Sequence, residues 1–167
     1  MTGAKRRLLV PVVVRQLNHV HLCEVVAQPE APRRHYKTEL DGSAVGDLCE
    51  AVTSHIDRAR REHPCQPYVI PMDKRDGRPV QLEGRSAALA MVLAVVGQEY
   101  GLEPLQETVV TGDLNNGGEV LPVDYLELKL FDTLRNVSPG ALVLHPAKPD
   151  KQPSLLTVEQ EARQRGV

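Results

Sequence analysis

Ser86 stands at the polar mouth of a stretch, Ala87 to Val96, that contains no polar residue. A hydroxyl beside a helix start is placed for chemistry, because free backbone N–H groups and the positive dipole end there favour a developing negative charge. Gly84, two residues earlier, lets the chain turn sharply into such a helix. Serine is also a preferred N-cap, so capping is the plain alternative use. Lys129 is the second candidate. After Asp124, residues Leu126, Leu130 and Leu134 fall on one helical stripe, and Lys129 sits about 60° from Leu126, flanked by Tyr125 and Thr133. A lysine there either snorkels to water or, held in an apolar pocket, loses its proton readily enough to take one from a serine hydroxyl. His19, His21 and Cys23 alternate with Val20 and Leu22 and so share one strand face. Three neighbours on one flat strand converge poorly on a tetrahedral metal. They are expected to form the outer face of a half-buried strand, with no metal bound.

The elements that must position these residues follow from periodicity. A helix apolar all round, as Ala87 to Val96 would be, belongs in the middle of a fold. Upstream, Leu8 to Val14 and His19 to Val26 read as an antiparallel strand pair around a turn at residues 15–18. Asp41-Gly-Ser43 opens a helix expected to reach about Glu62, with Val45, Leu48, Val52, Ile56 and Ala59 on its buried stripe and Arg58, Arg60 and Arg61 in its last turn. Tyr68 to Pro71 is a brief strand, and Asp76-Gly77 a turn before Pro79 to Leu82. Glu107 to Asp113 reads as one strand, followed by a tight Asn115-Asn-Gly-Gly118 turn and Glu119 to Val123, a β-hairpin. Asp124 is the expected N-cap of a helix through about Asn136, and Ala141 to Leu144 the last clear strand. Thr157 with Gln160 resembles the capping box of a short terminal helix.

At 167 residues and 41% hydrophobic content, the sequence suits one α/β domain with its own core. A net charge of −2 gives no general pull toward nucleic acid or an anionic membrane, and 3% aromatics with no Trp argue against a base-stacking surface. Three widely spaced cysteines, Cys23, Cys49 and Cys65, read as reduced thiols rather than a disulfide framework. No apolar run approaches the roughly 20 residues that span a bilayer. A soluble, cytoplasmic protein without a cofactor is the expectation.

Three segments in register change the weight of Ser86 and Lys129. Glu83-Gly84-Arg85-Ser86-Ala87-Ala88, Thr111-Gly112-Asp113, and Leu121-Pro-Val-Asp-Tyr-Leu-Glu-Leu-Lys129 together resemble the proteolytic domain of the Lon peptidase family. There the corresponding text is Asp-Gly-Pro-Ser-Ala-Gly, Thr-Gly-Glu and Leu-Pro-Val/Ile-Gly-Gly-Leu-Lys-Glu-Lys. Ser86 and Lys129 lie 43 positions apart, the family's own interval, and no gap is needed. The similarity is clear from about residue 82 to 146 and topological before that. It implies a single Lon-type domain over 1–167, with mixed small sheets around a buried central helix, a core at about 8–146 and a tail or short helix at 147–167. It further implies a serine peptidase acting on protein or peptide substrates, with Ser86 as nucleophile, Lys129 as base and Thr111 supporting the lysine amine. A homo-oligomer, in the family a hexameric ring, is implied too. No Gly-x-x-x-x-Gly-Lys-Ser/Thr loop occurs, so ATP-driven unfolding would come from a separate AAA+ ATPase chain. Four departures bear on the substrate groove: Glu83, Arg85 and Ala88 around the serine, and Asp124-Tyr125 in place of a glycine pair. They leave open a catalytically idle Lon-like domain that serves as an assembly or peptide-binding module.

Overall fold

The structure, a computed structural model, describes residues 6–14, 17–40, 42–53, 65–72, 81–147 and 153–167. Its elements in chain order are β1 (Leu8–Val14), β2 (His19–Gln28), β3 (Lys37–Thr38), α1 (Gly42–Thr53), β4 (Gln66–Pro71), β5 (Gln81–Leu82), α2 (Ala88–Tyr100), β6 (Thr108–Val110), β7 (Asp113–Leu114), β8 (Val120–Leu121), α3 (Leu126–Asn136), β9 (Leu142–Leu144) and α4 (Pro153–Arg165). The expected turn at Asp76-Gly77 and the arginine cluster at Arg58 to Arg61 lie outside the described residues, as do Ile56 and Ala59.

The apolar, β-branched run of β1 extends through Pro11 without a break and pairs antiparallel with β2, from Leu9 opposite Glu24 to Val14 opposite His19. Among the described residues, five strands form one mixed sheet in the order β4-β2-β1-β6-β9, with β6 parallel to β1 and β9 parallel to β6. Strand alternation sorts their side chains onto two faces. Val10, Cys23, Val25, Ala27, Val69 and Val110 pack with residues of α1 and α2. On the other face, Leu130, Leu134 and Val158 of α3 and α4 gather around Val143 of β9. The molecule is therefore an α/β fold with helices covering both sides of the sheet.

Helix α2 places Ala88, Ala90, Met91, Val92 and Val95 in the core, whereas Leu89, Leu93, Ala94 and Val96 are only partly buried, so it covers one face of the sheet and is not enclosed on all sides as its composition suggested. It ends at Gly101, whose φ of 64° is a left-handed C-cap, with the N–H of Leu102 returning to the Gly97 carbonyl at 2.7 Å.

Several sequence expectations are corrected. Cys23 is buried in the core against α2, whereas His19 is exposed, so the His19, His21 and Cys23 face is the inward face of β2 and not an outer one. The segment Glu107 to Asp113 is not one strand. It breaks at Thr111-Gly112 into β6, which joins the main sheet, and β7, which forms the hairpin with β8. Tyr125, not Asp124, occupies the N-cap position of α3, and no side-chain cap bond is made. The last helix starts at Pro153, the position where proline's missing N–H costs nothing, so Thr157 lies inside it rather than capping it.

Candidate active site

The chain turns at Gly84, with φ at 78°, and residues 86–87 form a turn ahead of α2. Ala87 holds the N-cap position with no side-chain cap bond, so Ser86 lies one residue before the cap. Its backbone is fixed from across the fold. The Ser86 carbonyl accepts the Gly112 N–H at 3.0 Å, and the Leu89 N–H returns to the Gly112 carbonyl at 3.1 Å. The Thr111 hydroxyl points at the same Ser86 carbonyl at 3.5 Å, and the Thr111 N–H bonds to Leu144 of β9 at 3.0 Å. These bonds explain the break between β6 and β7. Thr111 and Gly112 direct their backbone groups to the start of α2 and the end of β9 instead of to a straight ladder. Gly112 must be small: a Cβ there would lie 3.1 Å from both Leu89 Cδ2 and Val120 Cγ1.

Lys129 is the outlier on α3. Of the two alternatives for this lysine the structure shows burial, and Lys129, Asp132 and Thr133 are all buried beside Leu130 and Leu134. The helix thus buries two faces. Its leucines lie in the cluster with α4, while Asp132 Oδ2 accepts the Val20 N–H at 3.0 Å and so ties the polar face to β2. Lys129 is 4% exposed, which rules out snorkelling. Burial lowers its ammonium pKa from 10.5 to about 8, and the Asp124 carboxylate opposes that shift. One turn further on, the Thr133 hydroxyl is buried with no hydrogen-bond partner among the described residues.

Thr111 and Gly112 follow β6 directly, and Val20 is opposite Val13 near the end of β1. The segments that carry Ser86 and Lys129 are therefore anchored at the same edge of the sheet, the carboxyl ends of two parallel strands, where open α/β sheets place their ligand clefts. Ser86 and Thr111 are brought into contact through the Ser86 carbonyl. Among the described residues, no hydrogen bond joins the Lys129 amine to either of them.

The other constellation does not converge. His19 and His21 stack edge to face with centroids 4.9 Å apart, and His19 Nδ1 lies 3.4 Å from Asp132. Burial drives the Cys23 thiol pKa up to about 12, so its thiolate, the form that binds metal, is disfavoured. Among the described residues, no group of three His, Cys, Asp or Glu side chains could hold a metal ion, and no helix is long and apolar enough to cross a membrane. The partner of Arg85 is Asp113, 28 residues on, a pairing that no local sequence pattern signals. No family model matches the chain, and no curated protein does.

Proposed function

We propose that the chain is a Lon-type serine peptidase domain that hydrolyses protein or peptide amide bonds with a Ser86–Lys129 dyad. The observation that carries this reading is the burial of Lys129, a lysine with a lowered pKa on the element that the motif register assigns to the general base. At pH 7, an amine with a pKa of about 8 is about one-tenth neutral, roughly 300-fold more than an ordinary lysine. A second support comes from Tyr125. Its φ of 57° is the left-handed conformation that glycine takes most cheaply, and the resemblance puts a glycine at this position.

In the reaction, the neutral Lys129 amine accepts the Ser86 proton as Oγ attacks the scissile carbonyl carbon. The oxyanion is met by backbone N–H groups of the turn ahead of α2. Lys129 then returns the proton to the leaving amine, and water, deprotonated by Lys129, releases the acyl group. Thr111 orients the lysine amine. The substrate is an extended chain delivered to the carboxyl edge of the sheet, a homo-oligomeric ring would enclose that edge, and a separate AAA+ ATPase chain would supply unfolded substrate.

Labelling with a fluorophosphonate probe, followed by peptide mass mapping, tests this directly. Modification is expected on Ser86 in the unaltered chain and nowhere in Ser86→Ala, with the fold of the variant intact. A probe that leaves the unaltered chain unmodified would favour the idle, peptide-binding reading. Labelling that persists on the alanine variant would remove Ser86 from the role.

A further inference from the structure

We propose that Arg85 is a positioning residue for Ser86, clamping the turn that carries the serine onto the β7–β8 hairpin; this rests on the reading of Ser86 as nucleophile. Arg85 Nε donates to Asp113 Oδ1 at 3.0 Å and to Oδ2 at 3.3 Å, while Nη2 donates to the Leu114 carbonyl at 2.9 Å. The acceptor is itself held, since Asp113 Oδ1 takes the Leu114 N–H at 2.7 Å. The fork thus spans two acceptors on β7 in one fixed geometry. Only the planar guanidinium can do this, because an ammonium is a point donor.

Stability does not account for the arrangement. The Arg85 and Asp113 side chains are 42% and 21% exposed, and a pair so open to water adds little to stability. Direction does account for it. The Ser86 peptide is fixed on its carbonyl side by the Gly112 N–H, and the Arg85 carbonyl accepts the Ala88 N–H at 2.9 Å. On the other side lies Gly84, whose φ of 78° makes it the free joint of the turn. The Arg85 side chain closes that gap by tying the residue between Gly84 and Ser86 to the hairpin. Loss of the tie leaves the serine able to move by an amount that matters, since a misplacement of about 1 Å costs up to about 100-fold in rate.

The test is the kinetics of fluorophosphonate labelling, in which Ser86 Oγ bonds to phosphorus, fluoride leaves and the hydroxyl proton passes to Lys129. The maximal inactivation rate and the half-saturating probe concentration are measured for the unaltered chain, Arg85→Ala, Arg85→Lys, Asp113→Asn and the Ala/Asn double variant. Melting temperatures are recorded alongside. Asp113→Asn retains an oxygen for the Leu114 N–H but removes the negative charge and turns an amide N–H₂ toward Arg85, so it loosens the clamp without disturbing the hairpin, the bond to the Leu114 carbonyl remaining. Arg85→Ala is expected to lose about tenfold or more in maximal rate at unchanged half-saturation, Asp113→Asn to lose a smaller part, and the double variant to lose no more than Arg85→Ala. Melting is expected to shift by less than about 4 °C. Arg85→Lys is expected to regain only part of the rate. Unchanged rates in Arg85→Ala and Asp113→Asn would overturn the clamp and leave Ser86 standing, and so would losses that merely track a collapse in melting temperature. An unlabelled unaltered chain would overturn the reading of Ser86 itself, and the clamp with it.

Discussion

An ammonium group only 4% exposed is costly to keep, and the cost has a definite pH dependence. The folded-state pKa of Lys129, about 8, lies below the ordinary 10.5, so between those values the unfolded chain binds more protons than the folded one. Stability therefore rises with pH across that window, and below about pH 8 the full penalty applies. Lys129→Met keeps the length and removes the charge. At pH 7 it is expected to stabilise the fold, by up to roughly 3 kcal/mol, and to abolish the rise between pH 8 and 10.5 in denaturant titrations. A variant less stable than the unaltered chain at pH 7 would show that the amine has bonding worth more than its desolvation costs. A fold that retains such a residue trades stability for something else, as active sites do. Cys23 makes the contrasting case: its thiol is buried, with pKa raised to about 12, and serves the core as a small apolar group. A strong chelator is accordingly expected to leave the melting temperature unchanged, and a fall of several degrees would reinstate a metal at His19, His21 and Cys23.

Among the elements, the start of α3 carries the clearest strain. Tyr125 adopts φ of 57° while its ring is half exposed, so nothing in its packing offsets a conformation that costs an ordinary residue about 1–2 kcal/mol. Tyr125→Gly is expected to raise stability by about 1 kcal/mol in thermal unfolding, whereas Gly112→Ala is expected to lower it by about 1–3 kcal/mol by pressing on Leu89 and Val120. The same elements show where the sequence is readable. Helix α2 was legible because ten residues without a polar atom allow one solution, and the hairpin because its Asn-Gly turn chemistry is local. The break at Thr111-Gly112 was not, since it depends on bonds to Ser86, Leu89 and Leu144, each more than twenty residues away. Helix α3 was half legible. Its leucine stripe gave the face toward α4, but the burial of Lys129, Asp132 and Thr133 depends on β2, which periodicity within the helix does not register.

At the scale of the molecule, the sheet separates two layers of helices, and the candidate dyad draws one residue from each. Ser86 leads into α2 on the face shared with α1, while Lys129 belongs to α3 on the face shared with α4. Their segments are tied to the sheet at the carboxyl ends of β1 and β6, the first through Thr111 and Gly112 and the second through Asp132. The proposed chemistry would therefore depend on the sheet holding both layers in register, and single substitutions there are expected to alter the labelling rate before they alter folding. In the proposed dyad Lys129, neutral in a fraction set by its burial, takes the proton of Ser86. The measurement that tests it most directly is the rate of fluorophosphonate labelling at Ser86 as a function of pH, in the unaltered chain and in Lys129→Met. With the dyad, the rate is expected to climb tenfold per pH unit below about pH 8 and level off above it in the unaltered chain, and to be slow and flat in the variant across the same range. Equal rates in the two proteins, or a variant that keeps the inflection near pH 8, would contradict it.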